Sequence, residues 1–209
     1  MAVPAIVDID VICKLTRLSQ LDAFQKYLRD RNLTALLQPS IDATLDLDNR
    51  RGIVHLLASQ EQKATVAAFA RGVGRVELNE RGQELIELCH LVEDVDPGDA
   101  IWLAAAASMP DCVVFTGDKR ALRAVCGAEA CAPIVQAISG RVVCLEQIIL
   151  ELFDPSYVML RAAVREDPAA DAVIANAFPA KATPKAEATA ALLAEVEKLR
   201  RETGPLLRA

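Results

Sequence analysis

The stretch PAIVDIDVICKL, residues 4–15, decides the fold. Its first half is short, apolar and rich in β-branched side chains, and acids stop it, which predicts a buried strand over 4–9. The period then changes. Val11, Leu15, Leu18, Leu21, Phe24 and Leu28 recur every three or four positions, which predicts a helix from Val11 to Arg29. The same alternation continues outward along the chain. Strands are expected over 33–37, 76–78, 112–115 and 141–145, and helices over 53–71, 80–91, 99–108, 119–125, 129–138 and 146–153. Ser40 suits the N-cap of a further helix running through Asp46, and Gly72 and Gly74 end the 53–71 run. Each strand is read as continuously apolar rather than alternating, so both sheet faces are expected to be covered. The expected fold class is α/β, a three-layer α/β/α arrangement with a central parallel sheet. In such sheets ligands gather beyond the carboxyl ends of the strands.

The last part of the chain reads differently. Helices are expected over 155–165 and 169–177, followed by a Pro/Ala/Lys linker near 179–184 and a helix over 185–202. Ala186, Ala190, Leu193, Val196 and Leu199 form one stripe on that last helix, which therefore packs on something. The organisation expected is a core domain over 1–153 and a helical C-terminal extension over 154–209.

Composition sets limits on function. The chain has 209 residues, 53% of them apolar and 25% charged, with a net charge of -6. Aromatic residues are only 4%, which excludes an aromatic platform for stacking single strands. An acidic chain also lacks the broad basic footprint of an architectural nucleic-acid binder. The longest uncharged apolar stretch, 101–109, is far short of a bilayer span, and the N-terminus has no signal-peptide pattern, so a cytoplasmic protein without membrane partners is expected. The six cysteines contain no CxxC pair and read as buried free thiols, with Cys126, Cys131 and Cys89-His90 as a zinc alternative of unusual spacing.

The acids carry the chemistry. Asp8 and Asp10 follow the first strand, where one aspartate suffices to cap the helix. Asp96-Pro97-Gly98-Asp99 has the form of a capped helix start, and Asp118, reached through Thr116-Gly117, suits the cap of the next helix. Singly, each acid has a structural explanation. Together, Asp8 and Asp118 fall at carboxyl ends of buried strands on one sheet edge, and Asp99 opens the helix that feeds the 112–115 strand. Carboxylates meeting there repel one another unless cations lie between them. Hard oxygen donors favour Mg²⁺ or Mn²⁺ over zinc.

Three motifs in order, IVDIDVICKL, PGDAIWLAAAA and VVFTGDKRAL, resemble those of the PIN-domain family, the nuclease fold of toxin ribonucleases and RNA-processing enzymes. The resemblance covers residues 4–153, and the 19-residue separation of Asp99 from Asp118 agrees with it. It implies that Asp8, Asp99 and Asp118 are catalytic and bind metal, with Asp10 and Thr116 in support. The family's second acid is usually a Glu; here PSIDATLD places Asp46 at that spacing, with Asp42 and Glu61 as substitutes. Lys119-Arg120 stands where many members carry a further acid, and the pair is a candidate for binding phosphate.

The resemblance thus implies a divalent-metal-dependent ribonuclease, with Mg²⁺ or Mn²⁺ as cofactor and single-stranded or structured RNA as substrate. It also admits a homodimer and an antitoxin-like protein partner. Lys14, Arg17, Arg50, Arg51 and Arg123 are further cations able to reach flanking phosphates, though a solvated surface charge is the simpler account of most of them. Two alternatives remain. One is a PIN-like module that has lost catalysis and serves in binding or assembly. The other is a haloacid-dehalogenase-like phosphatase, since IVDIDVIC also fits a strand followed by Asp-x-Asp.

Overall fold

In the computed structural model, which describes residues 2–39, 41, 57, 59–180 and 182–209, the strands form one all-parallel sheet in the order β3-β2-β1-β4-β5. The strands are β1 (Val3–Val7), β2 (Leu33–Leu37), β3 (Gly74–Arg75), β4 (Val113–Thr116) and β5 (Val142–Cys144). β1 is central: Ala5 pairs with Ala35 of β2 on one side and with Val113 of β4 on the other. The order reverses between β1 and β4, because the chain first builds outward through β2 and β3 and then crosses back. A crevice opens at such a switch point, beyond the carboxyl ends of the two strands.

The pleat explains how one short sheet supports two cores. Ala5 and Val7 point into the first apolar cluster, while Ile6 between them points into the second. On the first face lie α1 (Ile9–Arg17), α2 (Leu21–Asp30), α3 (Gln60–Arg71), α8 (Leu145–Glu166) and α9 (Ala172–Asn176). On the second lie α4 (Glu80–Cys89), α5 (Pro97–Ser108), α6 (Lys119–Gly127) and α7 (Ala132–Ile138). The alanine run of α5 lets that helix approach closely, and Ala104, Ala105 and Ala106 are fully buried.

The α/β three-layer expectation therefore holds, with differences of detail. The short edge strand forms at Gly74–Arg75 rather than at 76–78, and Val76 still donates to the Leu37 carbonyl at 2.8 Å. A Cβ at 74 would stand 2.8 Å from Leu36 Cδ2, so a side chain there would require that methyl group to move. The described helix after residue 57 begins at Gln60, capped by Ser59, rather than at 53. Ser40, Asp42 and Asp46 lie outside the described residues.

The largest difference is in the C-terminal third. The helices expected at 146–153 and 155–165 are one, α8, which runs through Pro155. An interior proline costs roughly 3 kcal/mol of helix stability. Burial of Leu152, Phe153, Leu160 and Val164 along the same helix offsets it. The expected boundary at 153/154 thus lies inside a continuous helix. Beyond it, α10 (Lys185–Thr203) contributes Leu192 to the first cluster and Val196 and Leu199 to the second. The chain end then covers the open edge of β5: Arg208 donates its backbone N–H to the Val142 carbonyl at 2.8 Å.

Candidate functional site

An open cavity of about 430 Å³ lies at the switch point, lined among others by Asp8, Asp10, Asp96, Asp99 and Asp118. Each acid arrives by a separate local device. Asp8 is the residue after β1 and the N-cap of α1, its Oδ1 accepting from the Asp10 backbone N–H at 3.2 Å. Asp118 caps α6, its Oδ1 accepting from the Ala121 N–H at 2.9 Å. Asp96 caps α5 and accepts from the Asp99 N–H at 2.9 Å, which fixes Asp99 in the first turn. Capping is thus a real task for Asp8 and Asp118, but each carboxylate has a second oxygen.

Thr116 joins two of them. Its buried hydroxyl donates to Asp8 Oδ2 at 3.0 Å and accepts from the Asp118 backbone N–H at 3.0 Å. The glycine that follows leaves the room needed: a Cβ at 117 would stand 2.7 Å from Asp10 Oδ2. Asp99 is held from the other side. Its Oδ1 accepts from the indole N–H of Trp102 at 3.0 Å, one turn along α5, while its Oδ2 is buried without a partner.

The electrostatics follow from this enclosure. Burial pushes the Asp8 carboxyl up to about 7, and the Asp10 charge adds to it, while the Asp10 N–H and Thr116 hydroxyl oppose it. Burial likewise lifts Asp99 to about 6, against the Trp102 hydrogen bond and with the charges of Asp118 and Asp96. Two acids that resist ionisation in one cavity mark a place that favours positive charge.

The cations divide. Lys14 lines the cavity and bridges Asp10 at 2.7 Å and Asp171, from the start of α9, at 3.0 Å. Burial alone lowers its affinity for a proton, but the two carboxylates outweigh that and hold it above the ordinary lysine value. Arg17 is engaged in a two-pronged pair with Asp167, both bonds 2.7 Å. Lys119 does not line the cavity; its Nζ bonds Glu146, a carboxylate only 1% exposed at the start of α8. Arg120 is largely exposed and stands 3.8 Å from Asp118 and 4.0 Å from Asp96 at the cavity rim. Arg123 pairs with Glu202, and Arg50 and Arg51 lie outside the described residues.

The structure thus brings Asp8, Asp10, Asp99, Asp118 and Thr116 to one edge. Glu61 sits in the first turn of α3 and does not line the cavity. Sequence reasoning missed Gln38, Trp102 and Asp171. Gln38 was findable as the polar residue directly after β2, whereas the Lys14–Asp171 contact spans 157 positions and leaves no local signal.

In donor chemistry the set fits a hard cation, with carboxylate oxygens throughout and one buried oxygen lacking any partner. In spacing, no three acidic, histidine or cysteine side chains among the described residues come close enough together to hold a metal ion, which also applies to the cysteine grouping. All six cysteines are free, and burial raises the thiols of Cys13, Cys89 and Cys144 to about 12. No single helix among the described residues is long and apolar enough to cross a membrane. No family model, curated protein or solved structure matches the chain.

Proposed function

We propose that the chain is a divalent-metal-dependent ribonuclease of the PIN-like kind, with Asp8, Asp99 and Asp118 as its acidic centre. The observation that carries this reading is the convergence of three acids, taken from three separate sequence motifs, on one cavity at the sheet's switch point. Asp8, Asp99 and Asp118 would supply carboxylate oxygens to Mg²⁺ or Mn²⁺ once their spacing closes around the ion, with Asp46 as the fourth acid the resemblance implies. Such an ion, when bound, supplies an activated water and stabilises the oxygen leaving a phosphodiester.

The chain's own residues do the rest. Trp102 turns Asp99 so that one oxygen remains available, and Thr116 locks Asp8 against Asp118. Arg120, largely exposed at the cavity rim, is the cation that would meet RNA phosphates, whereas Lys14 and Lys119 are already engaged by carboxylates. With a net charge of -6, the chain would make a selective and brief contact with RNA.

A second reading, a binding module of the same fold without catalysis, is favoured by Lys14 serving as an internal counter-ion and by the lack of a close triad of ligands among the described residues. One experiment separates the two. Wild-type protein is incubated with a mixed RNA pool and Mn²⁺, beside Asp8→Asn and Asp118→Asn. The ribonuclease reading expects cleavage that both substitutions abolish, with circular dichroism unchanged. Cleavage that survives in both variants, or a wild type that binds Mn²⁺ in calorimetry not at all, ends it.

A further inference from the structure

Among the described residues, three buried side-chain oxygens have no hydrogen-bond partner: Gln38 Oε1, Asp99 Oδ2 and Glu146 Oε2. The last belongs to a carboxylate whose other oxygen bonds Lys119, and Glu146 does not line the cavity. The other two side chains line the same cavity from different elements, one directly after β2 and one in the first turn of α5. Unpartnered buried acceptors are rare in folded proteins, because water has been removed and nothing replaces it. The residues that carry both oxygens line one cavity, and one electropositive occupant would satisfy both.

The approach of Gln38 is built into the backbone. A Cβ at Gly98 would stand 3.3 Å from Gln38 Oε1 and 3.1 Å from Asp96 Oδ1, so the glycine leaves room for the amide beside the start of α5. The surroundings choose the sign of the occupant. Asp8, Asp96 and Asp118 line the same space, so a cation is favoured over an anion. A side-chain amide oxygen is a hard, neutral donor of the kind that Mg²⁺, Mn²⁺ and Ca²⁺ accept together with carboxylates.

We propose that Gln38 is a ligand of the cation site, its Oε1 and Asp99 Oδ2 together holding one divalent ion. The proposal rests on the metal-dependent reading above and goes beyond it. An amide in the ligand set also agrees with the lack of a close triad of acids among the described residues. The amide adds an oxygen without adding charge to a site where Asp8 and Asp99 already resist ionisation.

The test uses the full chain and Mn²⁺ alone. The only tryptophan, Trp102, donates to Asp99 Oδ1, so its fluorescence reports ion binding at Asp99 beside the calorimetric titration. Gln38→Leu is expected to weaken Mn²⁺ binding about tenfold or more, and Gln38→Glu, by adding a charge, to tighten it several-fold. Circular dichroism in chelator checks that each variant is folded. If Gln38→Leu does not fold, Gln38→Glu decides: an unchanged Mn²⁺ affinity overturns the assignment. It is also overturned if a folded Gln38→Leu binds Mn²⁺ as the wild type does, or loses RNA cleavage with Mn²⁺ affinity intact, since the amide then contacts substrate. These outcomes leave the metal-dependent reading standing. A wild type that binds no Mn²⁺ removes both.

Discussion

At the residue scale, Asp8 and Asp99 are carboxyl groups that burial works against and local hydrogen bonds support. Asp8 caps a helix with one oxygen and receives the Thr116 hydroxyl with the other, yet burial and Asp10 keep its carboxyl up at about 7. The unfolded chain would ionise it near 3.8, so between about pH 4 and pH 7 the folded state binds more protons than the unfolded one. Folding stability, measured in chelator, is therefore expected to fall as pH rises through that window and to level off above it, with Asp99 adding to the fall up to about 6. Thermal unfolding between pH 5 and pH 8 reads this directly. Asp8→Asn should flatten the slope, and saturating Mn²⁺ should do the same for the wild type. A wild type whose stability rises across the window would show that the acids ionise freely and that the cavity has no appetite for positive charge. Asp8, Asp99 and Asp118 were legible in the sequence because each sits next to a strand end or a helix start, where local pattern is strongest. Gln38 occupies an equivalent place after β2 but has no charge to draw notice, and its missing donor exists only in three dimensions.

At the element scale, strands and first turns were readable and helix ends were not. β1 falls where its apolar run predicts and is buried on both faces at its carboxyl end, and β2 forms where expected although the exposed Thr34 interrupts its run. The break expected at Asp154-Pro155 does not occur, because tertiary burial along α8 outweighs the local cost of proline. The start of α8 shows the same priority of long-range contacts. Glu146 is 1% exposed, and the ion pair with Lys119 that neutralises it crosses from the start of α6. Removing one partner of a buried pair leaves a charge without compensation, which costs about 3–5 kcal/mol, whereas replacing both with apolar groups is often neutral. Lys119→Ala is thus expected to lose roughly that much stability in urea unfolding, and Lys119→Leu with Glu146→Leu to recover most of it. The ribonuclease activity proposed above, assayed in the double variant below its unfolding temperature, should persist, because neither side chain lines the cavity. Loss of activity with stability restored would return Lys119 to the role of phosphate contact that its position in the sequence suggests.

At the scale of the whole molecule, the question is how residues beyond 153 relate to the core. The sequence separates them, since no motif of the first part recurs there and a Pro/Ala/Lys linker intervenes. The fold joins them at four places. Leu160 and Val164 of α8, Ile174 of α9 and Leu192 of α10 are all at most 2% exposed within the first apolar cluster. Val196 and Leu199 pass into the second cluster, and the chain end covers the β5 edge. Asp167 and Asp171 tie the same segment to Arg17 and Lys14 of α1, the helix that Asp8 caps. Truncating a buried leucine to alanine costs about 2–5 kcal/mol when it belongs to a packed core. Leu192→Ala is therefore expected to lower the stability of the entire chain by about that amount, in one cooperative urea transition that fluorescence of Trp102, on the opposite face, follows as faithfully as circular dichroism. A chain ending at residue 153 should expose both clusters and fail to give the native near-ultraviolet spectrum. If instead Leu192→Ala produces two transitions, with Trp102 reporting only the later one, the C-terminal helices form a separately folding unit. The cavity would then owe its geometry to residues 1–153 alone, and the Lys14–Asp171 bridge would be a detachable contact on a finished site.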